Sequence, residues 1–109
     1  MKMSVAEHIQ NVARMLQSIT FSKGRFDLTD NLKRSRNYEE FSDAIYNALR
    51  VAQTIQIRGA YAYIVSENDL KKVLEEAKNK EKFSELKNTI ACLALSYFPF
   101  PKTSSEVSE

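Results

Sequence analysis

Between Tyr38 and Ile55 the residues Tyr38, Phe41, Ile45, Ala48, Ala52 and Ile55 recur at intervals of three, four, three, four and three. That spacing draws one apolar stripe along a helix, and such a helix must bury its stripe against other elements. The rest of the chain therefore has to supply further apolar stripes that cover the first. With two glycines and two prolines in 109 residues, little material exists for the tight turns of a sandwich or barrel, or for a phosphate-cradling loop. The expected fold is all-α: a small bundle of four or so amphipathic helices in a single domain over 1–101, followed by a polar, disordered tail over 102–109.

Ser4 and Glu7 have the spacing of a capping box, in which each satisfies a backbone donor of the other, so the first helix starts at Ser4. Val5, Ile9, Val12, Leu16 and Ile19 form its stripe and Gly24 marks its stop, which predicts helix from Ser4 to Ser22. From Gly24 to Asn37 no period is sustained, and turn formers stand at Asp27, Thr29, Asp30 and Asn31. This predicts a loop with one short helical turn, held on the core by Phe26, Leu28 and Leu32.

Asn37 with Glu40 repeats the cap, and Glu39, Glu40 and Asp43 put negative charge where the helix dipole favours it, so the central helix begins at Tyr38. Its end has two readings. Either Gly59 stops it and Ala60–Val65 is a short extended connector, or the stripe runs on through Gly59 and Ala62 to Val65. Ser66 and Asp69 cap a third helix bearing Leu70, Val73, Leu74 and Ala77. After a break near Asn79, Phe83, Leu86, Ile90, Leu93 and Tyr97 begin a fourth, which Pro99 and Pro101 end.

The single histidine, His8, has no second histidine or nearby cysteine to share a metal with and reads as a partly exposed helix residue. Cys92 lies in an apolar run and reads as a small buried hydrophobe. The acidic groups Glu39/Glu40/Asp43 and Glu75/Glu76 are explained by a helix N-terminus and by a lysine-rich solvated face. No nucleophile with its base and no ligand set can be assembled, so neither enzyme activity, metal nor cofactor is expected. One cysteine cannot form an internal disulfide. Without an apolar signal core or a span of bilayer length, the expected location is the cytoplasm.

With a formal charge of +2, any anionic partner must be met by a local patch. Lys33, Arg34 and Arg36 stand just before the central helix, where the dipole disfavours cations. With Lys23 and Arg25 they form a candidate phosphate-binding cluster, and Arg50 and Arg58 extend it along the helix. The plainer reading is a solvated loop with local ion pairs, such as Arg36 with Glu40. Phe26 and Tyr38 flank the cluster and could stack on bases, although residues so spaced are more often core. All six arginines fall within the first 58 residues, which marks that half as the better interface candidate.

The stretch RNYEEFSDAIYNALRVAQ, with a basic segment before it and lysine- and glutamate-rich helices after it, resembles the small helical subunit of archaeal type I-A CRISPR surveillance complexes. The resemblance implies a non-catalytic subunit that stacks in several copies beside the guide-bearing subunits and helps to hold the target DNA strands. Its implied partners are other subunits of that complex, copies of itself, and the DNA of the R-loop through its phosphates. The arginine-bearing half is then the candidate strand contact, because base pairing and not protein reads the sequence in such an R-loop. Phe98, Phe100 and the Tyr61/Tyr63 region are the apolar residues left over for contact between copies. The rival expectation is a helical protein–protein adaptor or oligomerisation module, whose arginines meet carboxylates of a partner.

Overall fold

A computed structural model describes residues 4–57, 60–61 and 63–96. Where its helices begin is set by side chains that accept otherwise orphaned backbone N–H groups. Ser4 and Glu7 make the full reciprocal box ahead of α1 (Val5–Lys23), and Gly24, at φ +67°, closes that helix in the left-handed conformation. The Asn37 side chain accepts the Glu40 N–H at the start of α3 (Tyr38–Ala52). Ser66 does the same for Asp69 in α4 (Glu67–Ala77), and Asn79 for Glu81 in α5 (Lys80–Leu95). The expected all-α bundle is thus the observed architecture, with Ser4, Asn37 and Ser66 capping as the sequence signals, while Asn79, expected only as a break, is also a cap.

The bundle has five helices among the described residues, because the segment expected as a loop after Gly24 is the nine-residue helix α2 (Phe26–Arg34). The turn formers are accommodated by what surrounds them. Leu28 and Leu32, four apart, are 2% and 0% exposed, and Thr29 beside them turns inward to share a hydrogen bond with Thr20 of α1. Asp27 lies in the first turn and Lys33 and Arg34 in the last, in accord with the dipole. After α2, Ser35 donates its hydroxyl to the Leu32 carbonyl, and Lys87 of α5 donates to the Ser35 carbonyl. The end of α2 is therefore tied to the last helix.

The Val5–Ile19 and Tyr38–Ile55 stripes do meet, but α1 and not α3 is the central element, since its contacts with α5 and α4 are the most extensive in the bundle and it touches α2 and α3 as well. Val12, Ala13, Met15 and Ile19 are fully buried, which requires a face wider than one stripe, while Val5 at the helix start stays exposed. On α3, Phe41, Ile45, Ala48 and Ala52 are fully buried, and Phe41 meets Phe83 of α5 edge to face at 5.7 Å. The central helix ends at Ala52, where the Thr54 hydroxyl and N–H both turn back to the Val51 carbonyl. Both readings place the end of this helix too late: it stops seven residues before Gly59, Ile55 of the expected stripe lies beyond it, and the extended segment begins at Gln56, ahead of the expected connector over Ala60–Val65. Antiparallel β1 (Gln56–Ile57) and β2 (Ala60–Tyr61) pair Gln56 with Tyr61 and Ile57 with Ala60. Gly59 itself, the Phe98 and Phe100 contacts, the prolines and the tail over 102–109 lie outside the described residues.

Candidate functional site

Helix α2 and its two flanks gather five of the seven cations singled out in the sequence. Lys23 ends α1, Arg25 precedes α2, Lys33 and Arg34 form its last turn, and Arg36 follows. The expectation that the dipole disfavours Lys33 and Arg34 is corrected, because they close a helix, where it favours cations, and do not merely precede one. Arg50 lies apart, on the exposed side of α3, where it donates to Asn47. Its Cα stands about 18 Å along the helix from Tyr38. Arg58 lies outside the described residues.

Three of the five are paired at the surface. Arg25 holds Asp27 through two bonds of 3.0 Å, and Arg34 Nε lies 3.0 Å from Asp30. Glu40 accepts both the Arg36 backbone N–H at 2.8 Å and its guanidinium at 2.9 Å. The side-chain bonds from Arg25 and Arg36 hold the Asp27 and Glu40 carboxyls below their ordinary range. A lowered carboxylate pKa keeps its pair closed at neutral pH, and the pair opens as pH falls through the lowered value. These pairs are solvated, with the Arg34 and Arg36 side chains 79% and 83% exposed, and contacts so open to water add little to stability. A phosphate can replace the carboxylate at small cost. Lys23 and Lys33 are exposed and make no ion pair among the described residues.

The flanking aromatics part company. Tyr38 is half-buried against the core, with the Lys78 ammonium 5.6 Å from its ring. Phe26, whose spacing suggests core, is instead 54% exposed and leans edge-on against Phe21 at 6.2 Å. An accessible aromatic pair thus borders Lys23 and Arg25.

Two further expectations are corrected. His8 is buried, 3% exposed, and its Nδ1 donates to Asp69 Oδ1 at 2.5 Å; the other Asp69 oxygen accepts from Asn11 at 3.1 Å. Asp69 is equally buried, so the residue expected merely to help cap α4 also bonds that helix to α1. Cys92 is exposed, beside Lys33, Asn88 and Ser96 in a shallow depression between α2 and α5. The α5 core face runs through Leu86, Ile90 and Ala94, and Cys92 stands two residues from both Ile90 and Ala94, on the far side of the helix.

Tyr63, offered as contact surface, is half-buried with the Arg14 guanidinium 4.9 Å from its ring. Burial pushes its hydroxyl pKa up. The Tyr61 side chain lies outside the described residues. Among the described residues no three His, Cys, Asp or Glu side chains are placed to hold a metal ion, and no helix is long and apolar enough to cross a membrane. No known protein family, curated protein or solved structure matches the chain.

Proposed function

We propose that this chain is a non-catalytic helical subunit of a CRISPR-type, RNA-guided antiviral effector complex, present in several copies. In this reading it helps to hold DNA strands through α2 and its flanks. The observation that carries the reading is the gathering of Lys23, Arg25, Lys33, Arg34 and Arg36 on one nine-residue helix and its ends, against only Asp27 and Asp30 in the same stretch. Side chains of this kind meet phosphate and not base edges, so contact would be independent of sequence. The exposed Phe26 adds a surface on which an unpaired base can stack.

Replacing Lys33, Arg34 and Arg36 together with alanine is expected to weaken strand binding in the assembled complex equally across sequences. It should also flatten the dependence of log affinity on log salt by about 0.7–0.9 for each phosphate that the variant no longer neutralises. Measuring affinity at several salt concentrations checks both. Binding and slope like those of the parent would refute the strand contact.

One observation favours a second reading: Arg25, Arg34 and Arg36 already sit on carboxylates, as they would on a partner protein. In that case the triple variant keeps strand binding but fails to join its complex. Either reading predicts protein purified without added metal to hold no stoichiometric zinc or iron, which elemental analysis checks.

A further inference from the structure

Helix α4 carries Glu67, Lys71, Glu75 and Lys78 at intervals of four, four and three, which places them in one row along the helix. All four are exposed, and all four edge a groove of about 890 Å³ between α3 and α4. Unlike the arginines around α2, they make no ion pair within the chain among the described residues; Lys78 instead rests over the Tyr38 ring. Leu70 and Leu74 line the floor, and Tyr46 and Ile64, 49% and 37% exposed, stand at the rim. This is a partly apolar groove bordered by charges in strict alternation.

The order of those charges specifies the occupant. Read in one direction the row is acidic, basic, acidic, basic; read from the other end every sign is inverted. Two copies of α4 laid antiparallel therefore set Glu67 against Lys78 and Lys71 against Glu75, each contact occurring twice about a two-fold axis that crosses the exposed row between Lys71 and Glu75. Laid parallel, the same rows oppose like charges. Charge complementarity of this kind suppresses the wrong arrangement more than it strengthens the right one. We infer that the α3/α4 groove is an isologous interface at which a second copy of this chain docks, antiparallel along α4, covering Tyr46 and Ile64 of both copies. The inference rests on the self-association in the reading above, but it assigns that contact a surface and a symmetry, and it uses none of the cations around α2. Loss of strand binding on changing Lys33, Arg34 and Arg36 therefore leaves it standing.

The test uses two full-length variants, Lys71→Glu and Glu75→Lys, followed by sedimentation equilibrium with circular dichroism as a check of fold. The parent should form a weak dimer whose fraction rises with concentration and stops at two copies. Each variant alone places two like-charged pairs in the interface and should associate at least about tenfold more weakly. Mixed in equal amounts, the Lys71→Glu chain presents carboxylates at both central positions of the row, and the Glu75→Lys chain presents ammonium groups at both. A heterodimer of near-parental affinity should then form from two proteins that fail to pair alone, a result no folding defect can produce. The inference is overturned by a parent that remains monomeric at millimolar concentration, by either variant pairing as the parent does, by a mixture that stays monomeric, or by growth beyond two copies.

Discussion

Truncating Phe41 to alanine will cost about 3–5 kcal/mol, because the ring is fully buried and the residues around its cavity belong to different helices that cannot collapse into it independently. The variant also forfeits the edge-to-face contact with Phe83, which joins α3 to α5. Against the roughly 5–15 kcal/mol total stability usual for a domain, that loss leaves little margin. The melting temperature should drop by roughly 4–8 °C for each kcal/mol of destabilisation at this chain length. Ile45→Ala, four residues on and equally buried, should cost about 2–5 kcal/mol. Asp43→Ala, exposed on the same helix, should shift the melting point little and serves as the control. Thermal melts of the three settle the matter: a Phe41→Ala protein melting within a few degrees of its parent would mean that this face of α3 is not core.

Asp69→Ala is expected to destabilise for a different reason, by about 1–3 kcal/mol for each buried polar group that it strands. No large cavity forms. The cost comes from leaving His8, 3% exposed, and the Asn11 amide without the carboxylate that answers both. Asp69→Asn keeps the size and one acceptor and should cost less. Replacing His8 and Asp69 together with leucine should be milder than Asp69→Ala, since an apolar pair leaves no polar group stranded. A double-mutant cycle of urea melts checks this, and simple additivity of the His8 and Asp69 effects would show that the two side chains act independently.

The contrast between these residues explains what the sequence makes legible. Phe41 and Ile45 are found by spacing alone, because one stripe at helical period must face the core. The caps at Ser4, Asn37 and Ser66 are legible because capping is a local event between residues three apart. Helix α2 is not legible in that way. Its two leucines make too short a stripe, and its polar residues favour turns, so the contacts with α1, α3 and α5 that decide the outcome lie far away in the chain. For His8 a signal does exist: His8, Val12, Met15 and Ile19 are spaced four, three and four, a second buried row beside the first. Its partner cannot be read off, since Asp69 is 61 residues away and has a sufficient role at a cap. Of the candidate site, the five cations can be singled out in the sequence but the element between them cannot: α2 carries Lys33 and Arg34 and separates them from Lys23 and Arg25, where the sequence predicts a loop.

That α1 touches every other helix has a consequence in time as well as in space. The segment is synthesised before any helix that covers it, and its apolar face, including Met15, Leu16 and Ile19, has no lasting shelter until α4 and α5 follow. Contacts between the first helix and the last also close a long loop of chain, so this core is completed late. A nascent chain that has reached only the end of α3 has α2 and α3 to lay against α1 but leaves open the faces that α4 and α5 will cover, and at this stage its exposed apolar surface most favours aggregation.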